Sequence, residues 1–306
     1  MVQLPDITPR SWIMLSVLGL IWGGTFLVME LALEGLTPFW LAASRIAFGA
    51  ALTCAVWGLR GGRLFTAAPT GFQWLSLFAV GFLSSTVPFM LLAWGQQYVT
   101  SGFAGVSMAS VALIVLPLAH LFVPGERMTL RRILGFGIGF AGVSLLIGSQ
   151  ALESSGLSME MPGRVACVGA AACYAVSSIQ MRTLPPVDPI GLSAVLLLIG
   201  ALGVIPAALI VEGIPALPEG RTLWAVAFLG LVPTAGANLL RVTLVRSAGP
   251  VFLSIVNHMV PVWSVVLGAW LLSEPLPSSL LAALVLILCG VGLSQYGALR
   301  RLFVGR

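Results

Sequence analysis

Along this chain, stretches of about 20 apolar residues alternate with short breaks that collect most of the charges and turn residues. Wound as helices, stretches of that length match the hydrocarbon thickness of a bilayer. The pattern predicts ten spans, at 12–33, 38–59, 72–94, 103–123, 133–148, 165–181, 189–211, 223–245, 250–272 and 277–298. Landmarks in the first half return in the second. Glu126 stands 16 residues before Gly142-Val143, and Glu274 stands 16 before Gly290-Val291 (142 − 126 = 290 − 274 = 16). Ser101-Gly102 returns as Ala248-Gly249, and Trp22-Gly23 more loosely as Tyr174-Ala175. Five spans per half is an odd number, so the second copy is expected upside down relative to the first. The predicted fold is an all-α polytopic membrane protein, with ten transmembrane helices as two inverted five-helix repeats. Its parts are an N-terminal tail (1–10), a first repeat (11–148), a linker (149–163), a second repeat (164–298) and a C-terminal tail (299–306).

Composition agrees with the pattern. At 58% hydrophobic and 8% charged, with a mean hydropathy of +1.05, 306 residues could not clothe a soluble surface. The net charge of +5 comes from arginines alone, since lysine is absent. They stand singly or in pairs between spans and form no basic face for nucleic acid. Cys54, Cys167, Cys173 and Cys289 all fall inside spans without a metal-ligand spacing and read as small packing residues. No metal or cofactor is expected. The arginines also set the sidedness. Twelve (Arg10, Arg60, Arg63, Arg127, Arg131, Arg132, Arg182, Arg241, Arg246, Arg300, Arg301 and Arg306) fall on one set of ends, against Arg164 and Arg221 on the other. The positive-inside bias predicts that both termini are cytoplasmic.

Interruptions at membrane depth point to a site. Pro88 and Pro233 sit at matching places in spans three and eight, and Pro117 and Pro261 lie about a turn apart in four and nine. Each removes a helical hydrogen bond, and paired interruptions in corresponding spans mark the central site of many transporters. Polar groups at depth are few and costly in lipid. Thr25, Ser84, Ser85, Thr86, Ser177, Ser178, Gln180, Asn238, Asn257 and His258 are expected to face the bundle interior or a wet cavity. The candidates for a central site are Thr25, Ser110, Ser177, Asn238, Asn257 and His258. Trp22, Phe89, Tyr174 and Trp263 would supply aromatic walls, and Met90 and Met108 adaptable ones. Arg45 is the plainly intramembrane charge, suited to bind a carboxylate, form an internal ion pair or clamp a carbonyl. Trp12, Trp57 and Trp74 lie near span ends, as interfacial belt residues do. The stripe Gly135, Gly137, Gly139 and Gly142, with Gly290 and Gly292, predicts close approach within the bundle or to a second copy, leaving monomer and homodimer both open.

Several motifs carry a family resemblance. They are Trp22-Gly23-Gly24-Thr25-Phe26, Arg45, the Pro-Gly-Glu-Arg turn at 124–127, the Gly-Val pairs and Gly230-Leu231-Val232-Pro233-Thr234. From about residue 11 to 298 the chain resembles the EamA-type ten-helix group of the drug/metabolite transporter superfamily, and is similar to its YddG-type amino-acid exporters. The resemblance implies a multi-pass protein of a bacterial inner (plasma) membrane, with the site formed by spans one, three, four, six, eight and nine. Its implied partners are the bilayer and small metabolites, amino acids foremost. Ser110 and Ala112 stand where a strict aromatic amino-acid exporter would carry bulkier rings, which favours a broad preference. A nucleobase, nucleotide-sugar or drug exporter of the same superfamily is the alternative. An intramembrane hydrolase is the remote one, because no nucleophile elbow, His-Glu-x-x-His pair or paired aspartates occur. With no acid at mid-span and no nucleotide-binding motif, the expected mechanism is uniport by alternating access. His258 is then the one mid-membrane group suited to titrate.

Overall fold

The computed structural model describes residues 7–65, 70–148, 159–215 and 217–304. Most of the predicted linker, the first six residues and the last two lie outside them. Helices account for the architecture, and no strand longer than an isolated bridge between Phe65 and Val187 occurs among the described residues. In chain order they are α1 (Pro9–Leu33), α2 (Pro38–Leu59), α3 (Gly71–Gly95), α4 (Ser101–Phe122) and α5 (Leu130–Gly148). There follow α6 (Glu160–Gln180), α7 (Pro189–Glu212), α8 (Gly220–Gly249), α9 (Val256–Leu271) and α10 (Ser278–Val304). Eight of these are long and apolar enough to cross a membrane. The shorter α9 is also apolar, and α6 has small and polar residues where the others have branched aliphatics.

Local chemistry starts the helices where the polar breaks fall. Thr8 accepts a hydrogen bond from the Ser11 N–H, Thr100 from Phe103 and Asp188 from Gly191, and Pro9, Pro38 and Pro189 occupy first-turn positions where no N–H is needed. Once started, helix is the form in which a run surrounded by lipid satisfies its own backbone. Large apolar side chains such as Phe72, Trp74, Leu202, Ile210, Trp224 and Trp270 are exposed on the outside. That is the surface a bilayer solvates and water does not.

The structure corrects one predicted span. The run 250–272 is not a single helix: the chain turns at Ser254 and Ile255 before α9 begins at Val256. Gly249 precedes this turn with φ 83°, a left-handed conformation that suits glycine. Asn257 and His258 therefore sit in the first turn of α9 rather than near the middle of a continuous helix.

Helix pairing is orderly. α1 packs on α9 and on α8, while α6 packs on α4 and on α3. α2 meets α7, α4 meets α9 and α5 meets α10. The main contacts thus map onto one another when five is added to or subtracted from each helix number. The α5–α10 crossing is the tightest: a Cβ built on Gly290 would sit 2.5 Å from the Gly135 carbonyl oxygen, and one on Gly135 2.6 Å from that of Gly290. Gly139 and Gly142 are equally hemmed in, whereas Gly137 and Gly292 face open space. Four glycines of the stripe thus serve this crossing inside the chain, and two do not. On the other side of the bundle a Cβ on Gly23 would overlap Trp263, which brings α1 against α9.

Gly290→Val should push α5 and α10 apart, with about 1–3 kcal/mol or more of overpacking. It is expected to lower the melting temperature and the monodisperse yield in detergent. Gly292→Val, with nothing in its way, should leave both unchanged; equal effects would contradict the crossing.

Candidate functional site

A cavity of about 630 Å³ lies among α1–α4 and α6–α9, with α5 and α10 contributing nothing to its wall. Two interrupted helices shape it. In α3 the backbone widens to a π turn over Phe82–Thr86, immediately before Pro88, and Val87 N–H reaches back five residues to Phe82 O. In α8 the π turn spans Gly230–Gly236 around Pro233, and Ala237 reaches back to Val232. Proline has no N–H and its ring crowds the carbonyl four residues earlier, so the ladder must shift register and leave acceptors unpaired.

In α8 side chains take up the unpaired acceptors. Thr234 Oγ1 donates to Leu229 O at 2.8 Å, replacing the donor that Pro233 lacks. Trp22 Nε1 donates from α1 to Pro233 O at 3.1 Å, and Asn238 Nδ2 donates to Thr234 O at 2.6 Å. Arg45 completes the chain from α2, its Nε donating to Thr234 Oγ1 at 2.8 Å. The Arg45 guanidinium lies 4.4 Å from the centroid of the Phe89 ring, and Nη1 donates to the Met29 thioether at 3.4 Å. Close approach of α2 and α8 makes this reach possible, since a Cβ on Gly230 would sit 2.7 Å from Arg45 O.

The two ends of the cavity differ. Towards one end its wall runs through Ser193, Arg241, Met181 and Leu253–Val256, where α6 and α8 finish and α7 and α9 begin. The other end is tied shut by carboxylates seated on helix N-termini, where unpaired N–H groups and the helix dipole favour negative charge. Glu274, beyond α9, accepts from Ser101 N at 2.8 Å and Gly102 N at 3.0 Å at the start of α4. Glu212 accepts from Phe39 N, Trp40 N and the Thr37 hydroxyl at the start of α2. Gln96 adds a buried bond to Phe26 O at 2.9 Å. Glu126, the sequence counterpart of Glu274, instead pairs with Arg132 at 2.8 Å on an exposed surface.

Eight of the twelve residues singled out from sequence border the cavity: Trp22, Thr25, Phe89, Met108, Tyr174, Ser177, Asn238 and Asn257. Met90, Ser110, His258 and Trp263 do not. Met90 packs against the core, Ser110 is buried with its hydroxyl donating to Ser107 O at 2.5 Å, and Trp263 stands behind Gly23. His258 is displaced by the turn before α9, and its Nε2 is buried without a partner among the described residues. Sequence reading named Ser84 and Ser85 as polar groups at depth, did not single out Ser193 or Thr234 for the cavity, and placed Arg241 among the loop arginines. Arg241 is instead inside α8 on the cavity wall. The signal was present in the spacing: 234, 238 and 241 share one helical face.

The sequence profile of the EamA-like transporter family matches the chain twice, at residues 10–148 and 161–295, leaving little of it unmatched. The chain belongs to the EamA-like transporter family. Among similar proteins, an uncharacterised transporter of Archaeoglobus fulgidus is 27% identical over 286 residues, 92% of this chain and 97% of its own. The uncharacterised inner membrane transporter YedA of Escherichia coli K12 is 29% identical over 288 residues, 92% and 90% of the two chains. A solved crystal structure superposes with a TM-score of 0.67 at 21% identity, covering 95% of this chain and 99% of that one, which shows the shared fold. The protein is thus an EamA-type membrane transporter of the drug/metabolite superfamily.

Removing the Glu274 clasp should loosen the closed end. Glu274→Ala discards two charge-assisted bonds to backbone N–H groups, on the order of 1 kcal/mol net and roughly fivefold in population. In a chain freed of its four cysteines, Thr25→Cys should then label faster with an impermeant maleimide applied from the Glu274 end. Glu126→Ala should not have this effect; unchanged labelling in the Glu274 variant would contradict the clasp.

Proposed function

We propose that the chain exports small amphipathic metabolites, amino acids and related carboxylates with broad preference, from the cytoplasm by alternating access. The observation that carries this reading is the cavity: bordered by both proline-interrupted helices, closed at one end by capped helix termini, and mixed in lining. A pocket with apolar walls and a few convergent polar groups suits such metabolites better than a bare ion.

In this proposal α1 to α10 all cross the membrane, as two five-helix halves related by inversion, with both termini cytoplasmic. Three observations support it. The family profile matches two consecutive stretches of similar length, the main helix contacts map between halves, and both π turns fall at corresponding prolines. Helices alternating in direction place the start of α1 at the same end as the starts of α7 and α9, where the cavity reaches the surface. The structure would then be the cytoplasm-open state. Exchange of the Glu274 and Glu126 contacts between two equivalent arrangements gives a physical basis for rocking. Among the described residues no Asp or Glu lines the cavity, and Glu30 and Glu274 are not part of its wall. The absence of a carboxylate at the substrate's position supports uniport over coupling to protons or sodium.

Counterflow in proteoliposomes tests the reading. Vesicles loaded with unlabelled amino acids or small carboxylates should take up the labelled compound, and nucleotide-loaded vesicles should not. Trp22→Ala removes a cavity aromatic and the donor to Pro233 O. Tyr174→Ala removes a second aromatic from the wall. Each should reduce the rate about tenfold, the equivalent of roughly 1.4 kcal/mol, with expression retained. Absence of counterflow across the whole panel, or full activity in both variants, would contradict it.

A further inference from the structure

Two arginines line the cavity, and among the described residues no carboxylate pairs with either. Arg45 is 7% exposed, yet its described partners are a hydroxyl, a thioether and an aromatic face, all uncharged. Arg241 is half-buried and has no hydrogen bond or ion pair among the described residues. Three arginines away from the cavity do have carboxylate partners: Arg132 with Glu126, Arg164 with Glu160 and Arg221 with Glu34. Thr234, which holds Arg45, and Arg241 lie seven residues apart on one face of α8, about 10 Å along its axis. One positive group therefore stands deep in the cavity and the other nearer its open end. Ser84 Oγ, on the same wall, is buried without a partner among the described residues, and Tyr174 lines the same cavity.

We propose that the cavity selects small organic anions, seating an acid group, carboxylate or phosphate, against Arg45 while Arg241 draws anions in from the open end. The inference rests on the transport reading above and narrows its substrate class. An unpaired guanidinium in a low-dielectric site is unfavourable, and an arriving anion with apolar bulk relieves it by charge-assisted, bidentate bonding. Phe26, Leu92, Val115, Leu196 and Leu197 would receive the apolar body. A zwitterionic amino acid also brings an ammonium group, and the wall offers it no carboxylate. Net-negative molecules therefore fit better than zwitterions.

The test is equilibrium binding of benzoate, phenyl phosphate, phenylalanine and benzamide to the purified full-length protein by titration calorimetry. Benzoate or phenyl phosphate should bind at least about tenfold more tightly than phenylalanine or benzamide, whose charge is zero. Whichever of the two anions binds better identifies the acid group as carboxylate or phosphate. Arg45→Gln should abolish that preference and Arg45→Lys should restore part of it. Because Arg45 also braces the Thr234 turn, Arg241→Gln provides a variant with no described contact to lose; it should weaken anion binding several-fold and flatten its dependence on salt. Equal affinity for benzoate, benzamide and phenylalanine, unchanged anion binding in both glutamine variants, or no anion binding by a protein active in counterflow, overturns the proposal. The transport reading would survive each of these results, and fails separately if counterflow is absent.

Discussion

A guanidinium placed deep among apolar helices, with no carboxylate among the described residues to neutralise it, is the constraint around which the cavity is organised. Arg45 is tolerable there because three features of α8 and its neighbours converge on it. Pro233 opens the helical ladder, Thr234 bridges the gap to Leu229, and the bridging hydroxyl has a lone pair left to accept from Arg45. Phe89, on the helix that carries the other π turn, supplies its ring face. A helix break, a buried charge and an aromatic wall are thus one arrangement rather than three. Removing any part would leave a buried donor or acceptor unpaired in a medium that offers no water.

The same logic of satisfying backbone groups operates at the two ends of the bundle. The carboxylates of Glu274 and Glu212 sit on helix N-termini at the closed end. At the other end Glu126 is engaged by Arg132 in a half-exposed pair. Exposed pairs of this kind contribute about 0–1 kcal/mol, so little holds Glu126 where it is. The family profile matches the chain twice, and in the proposed alternating access the two halves would use their versions of this contact one at a time. The glycine-lined α5–α10 crossing lies outside the cavity wall and brings backbone against backbone.

Much of the fold was legible in the sequence because lipid imposes a simple rule: apolar runs of bilayer length become helices. The prolines located the interruptions, whereas the glycine stripe announced a close approach without deciding between one inside the bundle and one to a second copy. Legibility failed where local backbone geometry overrode periodicity. The turn at Ser254 and Ile255 interrupts an otherwise continuous apolar run, and with it His258 left the cavity wall. Met90 and Ser110 have the right chemistry at the right depth but lie on the wrong helical face, a matter of roughly 100° per residue that hydropathy does not resolve. Arg241 was misplaced because charge suggested a loop, when its spacing from Thr234 and Asn238 put it on the cavity face. The glycine stripe likewise divided only in three dimensions, with Gly137 and Gly292 left open.

In the proposal that the cavity selects anions, the moving species carries net negative charge, and charge movement is directly observable. An anion leaving an inside-negative compartment gains about 2.3 kcal/mol per elementary charge per 100 mV. The decisive measurement is uptake of the best-binding anion into proteoliposomes under an imposed potassium-diffusion potential, with no pH or sodium gradient. The account predicts accumulation when the interior is positive, exclusion when it is negative, and loss of both with Arg45→Gln. Uptake indifferent to the sign of the potential, but driven by a pH gradient, would contradict it.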